Sequence, residues 1–311
     1  ATLSARCFIG GALVFSPSQG MIRLPGTFVA PWQWAWFLIS STFFTFGTGF
    51  SDPSAKWRIV GLLSLATVFI NAVISGQRIA LALVPACLVL LLLLTGQLAN
   101  LKRFLPIFGG LILVLTIAIA SNPVIIQERL DSFIDRWNAS PPYLFITNQF
   151  EEVSRNTKNP LGNGLGRATN SARIMGPTKL VETYYPKVLF EVGILGVLAF
   201  LGLVTTLTIT AFRTYRKVKN RNFRGYGAAL WVFILFISYN TYYYPLDVDP
   251  VAVYYWFFAG VLFKLPEIDK QERLREEQEQ EQELQGQQVQ QQVEEVSTES
   301  KRKKKKVENP I

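Results

Sequence analysis

Apolar positions along this chain fall in unbroken blocks with almost no charge inside them. The blocks cover residues 31–48, 57–75, 79–98, 104–120, 188–212, 226–240 and 251–264. A helix rises 1.5 Å per residue, so about 20 apolar residues cross the ~30 Å hydrocarbon core of a bilayer. The pattern predicts an all-α polytopic membrane protein with about seven transmembrane helices. The last two blocks are short for a crossing, but Tyr and Trp flank them, as suits the headgroup layer. CFIGGALVF at 7–15 is too short to span and reads as a helix stub or a re-entrant piece.

Basic residues give these spans an orientation. Lys56 and Arg58 flank the second block, and Lys102 with Arg103 separates the third from the fourth. Arg213, Arg216, Lys217, Lys219, Arg221 and Arg224 crowd the connection after the fifth, and Lys301 to Lys306 close a terminal tail. Strict alternation puts all of these on one side, which the positive-inside rule assigns to the cytoplasm. The opposite, extracytoplasmic side then carries Arg23, Arg78, a large loop at 121–187 and the turn with Asp247 and Asp249. The chain divides into a membrane-embedded domain, 1–264, and a Gln/Glu-rich then polybasic tail, 265–311. The tail has too few apolar residues to build a core. It reads as a disordered, solvated segment or single helix, with lysine contact to anionic membrane lipid as the alternative.

Composition narrows the chemistry. Half of the 311 residues are apolar, 17% are charged, and the net charge is +9. That excludes an ordinary soluble enzyme, a disulfide scaffold and a nucleic-acid-binding domain. With no histidine, a Ser-His-Asp triad, a His-based zinc site and a histidine general base are all excluded within the chain. Cys7 and Cys87 are too few for a disulfide or metal framework. The first residue is Ala, so a fragment or processed product is expected.

The 121–187 loop is where chemistry is to be sought, since loops of this length in compact proteins are functional or disordered. In IIQERLDSFIDRW at 125–137, Ile126, Leu130, Phe133, Ile134 and Trp137 share one helical face. Such a helix lies in the interface plane or packs on neighbouring protein. NASPP at 138–142 ends it. NPLGNGLG follows, with Gly162, Gly164 and Gly166 at alternate positions. These glycines permit tight turns and close approach to a ligand, and their N–H groups suit a phosphate. The motif does not follow a strand, so it is no dinucleotide fingerprint. Arg167 and Arg173 come next, with the bidentate donors a pyrophosphate takes. Glu182 precedes Tyr184 and Tyr185, and Glu191 opens the fifth span. A carboxylate at the mouth of a span is either a functional group or a helix-start and ion-pair stabiliser. Arg23 and Arg78 either snorkel to headgroups or join Arg167, Arg173 and Glu182 in an anion-binding cavity.

Taken together, R-x-x-G-T-F (Arg23, Gly26, Thr27, Phe28), S-G-x-R (Ser75, Gly76, Arg78), NPLGNGLG and ETYYPKVLFEVGILG over about residues 20–212 resemble the O-antigen ligase/polymerase-like superfamily. Within it the chain looks most similar to exopolysaccharide polymerase-type members, including cyanobacterial hormogonium polysaccharide biosynthesis membrane proteins. The resemblance implies a GT-C-like fold lacking some N-terminal spans. It implies a metal-independent glycosyltransferase with no cofactor in the plasma membrane. The implied substrate is a polyprenyl diphosphate-linked oligosaccharide, transferred to a glycan hydroxyl at the outer face. Ligase members carry His-Asn where this chain has Glu182-Thr183, which favours a polymerase. Glu182 and Arg78 are then the expected catalytic pair, with Arg23, Arg167 and Arg173 on the diphosphate and Gly164, Gly166, Tyr184 and Tyr185 in a substrate loop. Partners implied are membrane lipids and other polysaccharide-assembly proteins, and no nucleic acid. A solute carrier, for example of inorganic carbon, is the alternative, although ionisable groups are scarce at the span centres. A scaffold recruiting partners through its tail is the third reading.

Overall fold

The computed structural model describes residues 14–15, 22–24, 26–28, 30–97, 137–169 and 176–307, with single positions between 109 and 135. In chain order the helices are α1 (Pro31–Ser51), α2 (Ala55–Ile74), α3 (Arg78–Leu94), α4 (Pro142–Asn156), α5 (Tyr184–Tyr215), α6 (Arg221–Tyr239) and α7 (Val251–Val307). A 3₁₀ turn at Pro245–Asp247 links α6 to α7. Val14–Phe15 and Ile22–Arg23 form a two-residue antiparallel pair, with Val14 opposite Arg23. The end of the 7–15 stretch is thus extended, not helical.

Among the described residues, three helical segments are long and apolar enough to cross a membrane: Ala55–Ile74, Tyr184–Tyr215 and Val251–Gln288. Arg78–Leu94 is a shorter apolar helix. The chain has the character of a helical membrane protein. The block at 104–120, with Lys102 and Arg103, lies outside the described residues apart from Gly109 and Thr116, as does Cys7. Ile59 and Leu63 on α2, Val89 on α3, Leu198 on α5 and Phe257 on α7 are all exposed. An apolar belt of this extent is costly in water and is covered by lipid.

Packing inside the belt is aromatic. Trp36, Phe43 and Phe46 of α1, Phe233 of α6 and Tyr255 of α7 are buried. Phe43 and Phe233 have ring centroids 5.3 Å apart, and Phe44 meets Phe258 at 4.4 Å. In α1 the hydroxyls of Ser41, Thr42, Thr45 and Thr48 donate to carbonyls four residues back, which satisfies them in an apolar setting, whereas the buried Ser40 hydroxyl has no protein partner.

The bundle has two chemically different ends. At one end Tyr226 Oη donates to Asp52 Oδ2 (2.6 Å), and the α5–α6 turn meets α7 through Asp269. Lys56, Arg58 and the 213–224 cluster gather there. At the other end start α1, α3, α5 and α7. This end carries Arg78 and Glu182.

One expectation changes. The fifth span is not one continuous helix: Gly193 has φ 68° and ψ −172°, which breaks α5 into a short piece and a spanning piece. Leu265 and Asp269 are buried, and α7 continues as helix to Val307, the single-helix form among the readings of the tail. Glu, Gln, Arg and Leu are good helix formers, and the Arg275–Glu279 pair (2.9 Å) adds support one turn apart. The side chains from Glu276 to Gln288 are exposed, so this extension buries no core.

Candidate functional site

The site is assembled by the glycine motif acting on the break in α5. Gly162 has φ +78°, and a Cβ there would sit 2.5 Å from the backbone of Glu191 and Gly193. Only glycine lets the loop lie directly on the broken helix. The loop's N–H groups are spent on that helix: Asn163 N–H donates to Phe190 O and Gly164 N–H to Glu191 O, both at 2.9 Å. Gly164 therefore faces the helix break with its N–H already bonded, and Gly166 (φ +77°) turns the chain. Glu191 is buried, and its carboxylate accepts the Ala168 N–H at 3.0 Å. This contact ties the loop to the broken helix.

From this lock the chain is led to Glu182. Lys179 N–H donates to Arg167 O (2.9 Å) and Val181 N–H to Ala168 O (3.3 Å), so 179–181 runs alongside 167–168. Val153, Ala168 and Val181 form a small core beneath. Glu182 N–H donates to Gln149 Oε1 on α4 (3.1 Å), and Tyr184 N–H to Thr241 O (3.0 Å). Lys187 pairs with Asp247 and lies 5.6 Å from the Tyr244 ring, bracing the α6–α7 link against α5.

Arg78 arrives from the other side. Gly76, at φ +66°, turns the chain out of α2, and Arg78 opens α3. Leu24 N–H donates to Ser75 O (3.1 Å), which brings the backbone beside Arg23 to the same corner. Arg78 and Glu182 line one hollow of about 230 Å³. Its other walls are Gln77 and Ile79 from α3, Ser140 and Phe145 from the start of α4, and Tyr242 with Tyr243 from the α6–α7 link. The Glu182 charge is felt nearby: burial pushes the Tyr244 phenol above its ordinary range, and Glu182, Tyr243 and Asp247 add to this.

The remaining expected site residues separate. Arg167 does not line the hollow; its Nη1 donates to Pro177 O at 3.0 Å. Tyr184 and Tyr185 are buried against helices: Tyr185 Oη donates to Ser238 O (2.5 Å), and both rings pack on Phe200. Arg173 and the Arg23 side chain lie outside the described residues. In the 125–137 stretch, Gln127, Asp131, Ile134, Asp135 and Trp137 are helical and exposed, and the rest lie outside the described residues.

Sequence reasoning missed Gln77, Ser140, Phe145, Gln149, Tyr242 and Tyr243. The run of three tyrosines at 242–244, just past an apolar block, was the available signal. Behind Glu182 and Tyr242, the hydroxyls of Thr183 and Thr241 are buried without a protein partner. Among the described residues no group of three or more His, Cys, Asp or Glu is placed to hold a metal ion. Compared with known proteins, the chain matches no family model, no curated protein and no solved structure.

Proposed function

We propose that this chain is a membrane glycosyltransferase of the polysaccharide polymerase or ligase type, with about seven spans in a GT-C-like arrangement. It moves a glycan from a polyprenyl diphosphate to a glycan hydroxyl at the outer face of the plasma membrane, and its tail lies in the cytoplasm. The observation that carries the reading is that Arg78 and Glu182, far apart in sequence, line the same hollow at the end of the bundle opposite the basic cluster.

In this reading the Glu182 carboxylate accepts the proton of the acceptor hydroxyl as its oxygen attacks the anomeric carbon. The bond from that carbon to the diphosphate oxygen breaks, and its electron pair leaves with the diphosphate. The Arg78 guanidinium offsets the charge growing there. Groups that act only as charge builds lower the barrier without tightening the ground state. A position at the rim favours this reading over a carrier, whose ionisable groups belong near the bilayer midplane.

The test is turnover of a polyprenyl diphosphate-linked oligosaccharide by the full chain in nanodiscs. Glu182→Gln and Arg78→Ala each lower turnover by at least ~100-fold, in line with losing one acid–base or charge-stabilising group. Full turnover by both variants removes the assignment. Uptake of labelled solute by proteoliposomes, with no turnover of the glycan, supports the carrier instead.

A further inference from the structure

The hollow holds more than the charged pair, and its remaining wall is chemically specific. Phe145 comes from α4, while Tyr242 and Tyr243 come from the α6–α7 link. Phe145 and Tyr242 have ring centroids 6.1 Å apart at 80°, and Tyr242 and Tyr243 lie 4.7 Å apart at 74°. Rings set nearly perpendicular make a corner instead of stacking flat on one another. Tyr243 is held at φ +55°, the one non-glycine residue with positive φ among those described, and Asn240 Nδ2 donates to Tyr242 O (2.8 Å). A bulky side chain in that backbone region is unfavourable unless its surroundings demand it. All three rings are only half-buried, unlike the rings of the bundle core. Ser140 and Gln77 add a hydroxyl and an amide to the same cavity.

We infer that the corner of Phe145, Tyr242 and Tyr243 is a binding subsite for one neutral pyranose ring, with Ser140 and Gln77 as partners for its hydroxyls. This rests on, and deepens, the proposed function. A sugar has C–H faces that suit an aromatic face and hydroxyl edges that suit amide and hydroxyl groups. An isoprenoid tail would want an unbroken apolar wall. A cavity of about 230 Å³ is below the roughly 300–1,000 Å³ of drug-sized sites, so it takes a ring and not a chain. The corner's own residues, Phe145, Tyr242, Tyr243, Ser140 and Gln77, carry no charge, so the ring that suits them is neutral. The ring belongs either to the donor or to the acceptor glycan, and the chemistry of the subsite is the same for both.

The test uses the full chain in nanodiscs and saturation-transfer NMR with methyl glucoside, methyl galactoside, methyl mannoside and methyl glucuronide. At least one neutral glycoside is expected to bind and the glucuronide to bind less. Phe145→Ala and Tyr242→Ala weaken that binding roughly tenfold, the scale of one lost aromatic contact, and Tyr243→Phe keeps it. Retained inorganic pyrophosphate binding by the alanine variants shows that they are folded. Displacement by a farnesyl diphosphate-linked sugar assigns the ring to the donor and persistence assigns it to the acceptor; both support the subsite. If no neutral glycoside binds, or the alanine variants bind it as well as the parent, the subsite is overturned. Pyrophosphate binding that Arg78→Ala abolishes would still stand for the proposed function in that case.

Discussion

Gly162→Ala probes the contact that sets the whole site. Its added Cβ falls 2.5 Å from the carbonyl carbon and oxygen of Glu191 and from the nitrogen of Gly193, all of them backbone. Non-bonded heavy atoms rest at about 3.5 Å or more, so loop and helix must separate by about 1 Å. The hydrogen bonds Asn163 N–H to Phe190 O and Gly164 N–H to Glu191 O, both 2.9 Å, then fail. Each is worth about 1 kcal/mol. The φ of +78° adds about 1–2 kcal/mol of left-handed strain for any residue with a Cβ. The sum is about 3–4 kcal/mol, or a fall in Tm of about 5 °C for a chain of this size. Gly164→Ala is the internal control: φ is +104°, but the nearest atom is Arg167 Cγ at 3.8 Å, so only the strain applies. Unfolding is followed by tryptophan fluorescence in detergent. Equal Tm for the two variants, or an unchanged Tm for Gly162→Ala, refutes the idea that the motif works by lying on the helix break.

Further outcomes follow from the same geometry. Asp269→Ala removes a buried acceptor of the Lys219 and Asn220 N–H groups (3.1 and 2.9 Å) and the partner of Arg273; it costs about 2–4 kcal/mol in the same unfolding assay. Thr183→Val replaces a buried hydroxyl that has no protein partner and raises stability by about 1 kcal/mol; a fall would show that the hydroxyl is satisfied in the working protein. The Tyr244 phenol is held above its ordinary value, so its neutral form is the one the fold favours. Its contribution is present below the ordinary phenol range and is lost as pH rises through and beyond it. Unfolding scans should show no Tyr244-dependent change between pH 6 and 9, and Tyr244→Phe should remove part of any decline near about pH 10 and above.

The apolar helices were legible because long apolar runs in a bilayer must be helices; three of them, among the described residues, are long and apolar enough to cross it. Helices α1 to α3 and α5 to α7 each cover most of one expected block. Helix α4 was not legible, because Pro141-Pro142 reads as a breaker although Pro142 is well placed at a helix start. Its apolar residues are also too sparse to signal a span. Arg78 and Glu182 stood out because charge at a span mouth is unusual. Tyr242 and Tyr243 did not, because aromatics near a span end have an ordinary explanation as interface residues. The glycines announced tight turns, but that they lie on Phe190–Gly193 is a long-range fact that no local pattern carries. In the Glu/Gln segment the side chains from Glu276 to Gln288 are exposed. Its continuity as helix comes from propensity and one-turn ion pairs joined to a helix already nucleated in the bundle.

The length of α7 has a mechanical consequence. Its 57 residues make a rod of about 85 Å, of which about 55 Å lies between Asp269 and the lysines at 301–306. Electrostatic reach in physiological salt is about 8 Å. Along a straight α7, the C-terminal end lies several screening lengths from Asp269. Bringing those lysines down onto headgroups requires the rod to bend, and Pro266 and Gly286 are the two weakest points along it.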